Sequence, residues 1–160
     1  MKKILASITL TAVLLPALAL AGEGWETDFE KAKAKAKQEG KFLLLDFSGS
    51  DWCHWCVKLD QEVFSQPAFK EYAAKQLVPV LLDFPMRKEL PAALKAQNTA
   101  LQKKYQIRGY PTVVLLDPDG KKVAQTGYKR GGAAKYVEHL EELLKPHRSD
   151  TDGEPVAAAE

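Results

Sequence analysis

The chain has two cysteines, and they stand three positions apart in the stretch Ser50-Asp51-Trp52-Cys53-His54-Trp55-Cys56. A pair at this spacing suits three chemistries: a soft-metal clip, a short structural disulfide, or a thiol–disulfide exchange centre. A closed zinc site takes four ligands, and beyond the cysteines the chain offers only His54, His139 and His147. A two-cysteine site for Cu(I) needs fewer ligands and stays open as a reading. The staple is badly placed, because stabilisation grows with the loop closed and so short a ring yields only ~2 kcal/mol. Exchange needs a thiolate, which the unpaired N–H groups and dipole at a helix start favour. If a helix begins near Cys53, that residue is the exposed attacker. Cys56, one turn deeper, is then placed to resolve a mixed disulfide.

The elements that must hold this pair alternate between helix and strand. Thr27-Asp28-Phe29-Glu30 reads as a capping box, and Trp25, Phe29, Ala32 and Ala36 recur at helical spacing. A first helix is therefore predicted from about Thr27 to Gln38, ending at Gly40. Its narrow apolar stripe suits a surface helix lying on a sheet, with Lys31, Lys33, Lys35 and Lys37 on the solvated side. Phe42 to Phe47 is a continuous apolar run, the pattern of a strand buried on both faces, with Asp46 as the odd carboxylate. The stretch Cys53 to Phe64 reads as a helix with Val57, Asp60 and Phe64 on related faces. Another is expected after a Ser65 cap, with Pro67 in its first turn and Phe69, Tyr72 and Ala73 facing the core.

Leu77 to Asp83 reads as a second strand, with Pro79 pointing to an edge. A loop over 84–91 and a helix over 92–105 follow. Thr112 to Asp117, the turn Pro118-Asp119-Gly120 and Lys121 to Thr126 form a hairpin. A last helix is predicted from Ala133 to Leu144, and the polar tail 146–160 is expected to be disordered. This order describes an α/β layered fold on a mixed sheet. The cysteine pair falls at a strand-to-helix junction, where such sheets carry their chemistry.

The first 21 residues have the layout of a cleaved secretory signal: Lys2 and Lys3, an apolar run, then Ala17, Ala19 and Ala21, with cleavage expected after Ala21. Residues 22–145 then form one domain in a periplasmic or secreted protein. The leader holds two of the 23 basic side chains and none of the 21 acidic ones, so the remainder carries no net charge. With no basic excess, nucleic acid is a poor partner.

Two stretches resemble the thioredoxin family. "LLLDFSGSDWCHWC" is similar to its active-site strand and loop, and "IRGYPTVVLLDPDGK" to its second signature, Arg-Gly-x-Pro-Thr. The resemblance implies a thioredoxin fold, a mixed central sheet with helices on both faces. It implies Cys53 as nucleophile, Cys56 as resolving thiol and Pro111 as a cis proline. Tyr110 would offer backbone groups to an extended substrate peptide, and Gly127 would lie beside that groove. Asp46 would be the buried carboxylate beneath the dithiol, and Trp52 a shield packed on the sulfurs. The resemblance makes the chain an enzyme of thiol–disulfide exchange with protein thiols and disulfides, needing no organic cofactor or metal. A membrane electron donor or acceptor is the further partner, and a monomer is expected. Against the family pattern, the loop from Asp46 to Cys53 is one residue longer, the second strand lacks a lysine, and the segment 84–100 is extended. His54 and Trp55 replace the family's Gly-Pro, so they are the residues expected to tune the redox balance, His54 by favouring the Cys53 thiolate. The competing reading is a non-catalytic module that holds a soft metal ion or a peptide.

Overall fold

The computed structural model describes residues 24–148. The expected signal segment and the expected disorder of the tail beyond 148 lie outside the described residues. The order is α1 (Phe29–Glu39), β1 (Phe42–Ser48), α2 (His54–Leu59), a π turn (Asp60–Phe64), α3 (Pro67–Gln76), β2 (Leu77–Asp83), α4 (Ala92–Lys104), β3 (Thr112–Leu116), β4 (Lys122–Thr126), α5 (Gly132–Leu144) and a 3-10 turn (Lys145–His147). The strands form one sheet in the order β2-β1-β3-β4. β1 runs parallel to β2 and antiparallel to β3, which makes the mixed sheet expected from the sequence.

β1 is buried along its whole length, as its unbroken apolar run predicts. Because side chains alternate along a strand, it supplies both layers of the core. Phe42 and Leu44 pack with residues of α3 and α5, among them Phe69, Tyr136 and Leu140. Leu43, Leu45 and Phe47 pack with Phe29, Ala32 and Ala36 of α1 and Leu101 of α4. Asp46 shares the parity of Phe42 and Leu44, so it points to the α3/α5 side. β2 is an edge strand, as Pro79 implied, and its outer side is covered by the chain entering α1. There Glu26 N–H donates to the Pro79 carbonyl and the Glu26 carbonyl accepts from Leu81 N–H, both at 2.9 Å.

Several local expectations are corrected. The cap of α1 is Asp28, whose carboxylate accepts from Lys31 N–H at 2.9 Å, and the helix begins two residues after Thr27. Asp28 wins because a carboxylate at the positive helix end is favoured by both hydrogen bond and dipole. Trp25 is not on the α1 stripe. It precedes the helix and lies on the other side of the sheet, with its ring 5.0 Å from Phe64 and 6.4 Å from Phe69. Ser65 does not cap α3. Its hydroxyl donates to the Asp60 carboxylate at 3.2 Å, and Gln66 occupies the cap without a side-chain bond. Residues 146 and 147, assigned to the tail, are ordered in the 3-10 turn that continues α5. Gly40 ends α1 in the left-handed conformation, φ 63°, the geometry that glycine adopts at least cost.

Candidate functional site

The loop Gly49–Trp52 leaves the end of β1 and turns into α2 through backbone bonds that converge on Gly49. Its carbonyl accepts from Trp52 N–H at 3.3 Å and Cys53 N–H at 2.9 Å. Its N–H donates to Cys56 Sγ at 3.5 Å. A Cβ on Gly49 would sit 2.5 Å from the Trp52 ring, so only glycine lets that indole lie flat over the turn. Cys53 is the N-cap of α2, and its Sγ accepts from Cys56 N–H at 3.2 Å. The helix end therefore offers its N–H to the sulfur, which is the geometry that favours charge there. Cys53 and Cys56 are joined as a disulfide with Cα atoms 5.2 Å apart. The expected contrast in exposure is absent in this oxidised pair: Cys53 is 6% exposed and Cys56 4%.

Behind the disulfide lies a cavity of about 400 Å³ whose lining includes Cys56, Asp46, Ser48, Asp60 and Trp25. Val57 and Phe64 also line it, so the shared face read from the sequence is the wall of this space. Asp46 is 6% exposed and its Oδ1 meets no hydrogen-bond donor among the described residues. Burial, then the nearby Asp60 and Asp83 carboxylates, push its pKa up to about 8. At neutral pH Asp46 therefore holds a proton, facing the same space as Cys56.

Pro111 follows a cis peptide bond from Tyr110. It enters β3 at the end where Thr112 pairs with Phe47, beside the loop that carries the dithiol. A Cβ on Gly127 would come 3.1 Å from the Pro111 carbonyl, so Gly127 abuts this loop directly. Trp52 crosses the gap, edge-on to the Tyr110 ring at 5.6 Å, with its indole N–H donating to the Phe84 carbonyl at 2.8 Å. It packs against Tyr110, Phe84 and Gly49 and is half exposed. On the other flank the Trp55 ring lies 5.1 Å from Tyr128 and 5.4 Å from His54. His54 is exposed on this outer surface and is not among the residues that line the cavity.

Other residues of the site carried no signal in the sequence. Asp51 accepts from the backbone N–H groups of Met86, at 2.9 Å, and Arg87, at 2.7 Å, and these bonds hold its pKa below the usual carboxylate value. Ser50 donates to the Asp83 carboxylate through both N–H, 2.9 Å, and hydroxyl, 2.7 Å. The extended segment 84–100 is thereby latched to the active-site loop. Tyr128 donates to Glu62 at 2.6 Å, which fixes the ring that faces Trp55. Asp51 and Tyr128 were out of reach because their partners lie far away in the chain. Among the described residues no group of three or more His, Cys, Asp or Glu side chains is placed to hold a metal ion. His139 is instead engaged by the Thr126 hydroxyl at 2.9 Å.

A thioredoxin-like domain family matches residues 29–143. The chain is 35% identical over 128 residues to disulfide bond reductase DsbH of Chlamydia pneumoniae, covering 80% of this chain and 76% of that protein. It is 30% identical over 128 residues to the thioredoxin-related protein DsbJ of the same organism, but spans only 37% of DsbJ. A solved structure described as DsbH oxidoreductase superposes with a TM-score of 0.74 at 33% identity, over 88% of this chain and 95% of that one.

Proposed function

The chain belongs to the thioredoxin-like family, and from that premise we propose that it is an extracytoplasmic reductase of protein disulfides. It is a thiol–disulfide oxidoreductase. The observation that carries the reading is the Cys53–Cys56 disulfide at the start of α2, with Cys53 as the helix cap.

In the reduced protein the Cys53 thiolate attacks one sulfur of a substrate disulfide. A Cys53–substrate disulfide forms and the other substrate sulfur leaves as a thiolate. Cys56, deprotonated, attacks Cys53 Sγ, expelling the second substrate thiolate and closing the Cys53–Cys56 bond. Two electrons pass from the dithiol to the substrate, which takes up two protons as two thiols. Asp46, in the fraction of molecules where its carboxyl is ionised, accepts the Cys56 proton through the shared cavity and passes it to solvent. Tyr110 and Pro111 hold the substrate backbone in an extended pose, with Gly127 leaving room beside them.

The reducing direction is supported by DsbH, the relative matched over most of its length, which is named a reductase. The apolar leader supports placement outside the cytoplasm, where regeneration falls to a membrane-bound dithiol donor.

The test is equilibration with glutathione couples. A potential near thioredoxin's, about −270 mV, is expected, and one near a strong oxidant's, about −120 mV, would overturn the direction. Cys56→Ser should trap a mixed disulfide with substrate, which a non-catalytic binding module does not form.

A further inference from the structure

The surface around the dithiol is apolar at its centre and basic at its rim. Trp52 is 43% exposed, Trp55 45% and Met86 77%, and none of these rings or chains is used by the core. Three loops reach this surface through contacts already described. The Asp51 carboxylate fixes the backbone of Met86 and Arg87, the Trp52–Tyr110 contact brings in the loop that begins at Arg108, and the Trp55–Tyr128 contact brings in Lys129 and Arg130. Lys58 lies over the Trp55 and Tyr128 rings, 5.6 and 6.0 Å from their centres.

The charges on these loops are lopsided. Arg87, Lys88, Arg108, Lys129 and Arg130 are all exposed, and none of them is in an ion pair among the described residues. Most acids of the same region are occupied: Asp51 by backbone N–H groups, Asp83 by Ser50, and Glu62 by Tyr128 and Lys58. Glu89 is exposed, and so is Asp60 on the cavity side, where it accepts from the Ser65 hydroxyl. Since the chain without its leader carries no net charge, the excess is a local segregation of charge. Such a rim around an apolar centre steers partners of opposite sign and speeds their encounter.

We propose that this face docks protein disulfides flanked by acidic residues, with the partner's apolar and backbone groups across Trp52, Trp55 and Tyr110 and its carboxylates toward Arg87-Lys88 and Lys129-Arg130. This rests on the exchange reading above and adds the charge class of the partner.

The probes are two synthetic peptides with the same cystine loop, one flanked by glutamates and one by lysines, together with uncharged hydroxyethyl disulfide. Rates of their reduction by the dithiol form of the full protein are measured at low and high salt. The glutamate peptide should react about tenfold faster at low salt, with most of the difference lost near 0.5 M salt, where screening is short-ranged. The double variant Lys129→Glu, Arg130→Glu should slow the glutamate peptide and speed the lysine peptide. A misfolded variant would slow both, and hydroxyethyl disulfide with them. Equal peptide rates, or a preference for lysine, with hydroxyethyl disulfide still reduced, overturn the docking proposal alone. No reduction of any of the three overturns the exchange reading beneath it.

Discussion

Asp46 keeps a proton that it would lose in water, and that single fact has consequences for stability and for exchange. The unfolded carboxyl titrates near 4, whereas burial raises the folded value to about 8. Between those values the folded protein holds a proton that the unfolded chain releases, so stability falls as pH rises through this window. Asp46→Asn should therefore stabilise the protein at pH 7 by a net amount on the order of 1–3 kcal/mol and destabilise it by roughly 1–2 kcal/mol at pH 4, where the linkage gain is gone and only the unpartnered amide remains. That net figure is below the full linkage value because the amide is also buried without a partner. Urea unfolding at the two pH values measures it. The same variant should slow the resolving step at pH 7, seen as mixed disulfide accumulating, because the proton exchanger is gone. His54 acts from the solvent side. His54→Ala should make the potential more negative, by less than about 30 mV, because water screens an exposed side chain, and a large shift in either direction would count against that weak coupling.

Among the elements, the segment 84–100 connects the site to the remainder of the sheet. Its start is held by Asp51, Trp52 and Ser50. Its helix α4 is held by Asn98, which is buried and donates to the Asp83 carbonyl at 2.9 Å, and by Gln97, which bonds the entry to α1. Asp51→Ala should free the Met86 and Arg87 amides, so their hydrogen exchange accelerates while that of β1 is unchanged. Asp51→Asn should restore part of the protection, since the amide oxygen still accepts but without the charge. The π turn between α2 and α3 has a comparable role. It lets Val63 and Phe64 reach the core while Phe64 also joins Val57 and Asp60 on the cavity wall.

At the scale of the whole molecule, β1 joins two core layers, since Leu44 belongs to one and Leu45 to the other. Both are fully buried. Leu44→Ala and Leu45→Ala should each cost about 2–5 kcal/mol, and each should shift one cooperative transition. Circular dichroism and tryptophan fluorescence should then report the same midpoint. Separate midpoints would mean that the layers unfold independently. Salt dependence of exchange belongs to this scale too, because the basic rim is assembled from loops that are distant in the chain.

The alternation of strands and helices, the buried run of β1 and the cysteine pair were legible locally, because periodicity and turn residues act over a few positions. Errors arose where two local signals competed, as with Thr27 against Asp28, or where a side chain crossed the sheet, as with Trp25. The sequence by itself determined a thiol pair at a strand-to-helix junction and the proline loop that goes with it. Only the tertiary structure decided how Asp46 is desolvated, that Asp51 latches a loop some 35 residues away, and that three separate loops bring Arg87, Lys88, Arg108, Lys129 and Arg130 towards the dithiol face. Those properties depend on which distant groups exclude water from one another, and desolvation is set by the packed neighbours rather than by the residues next in the chain.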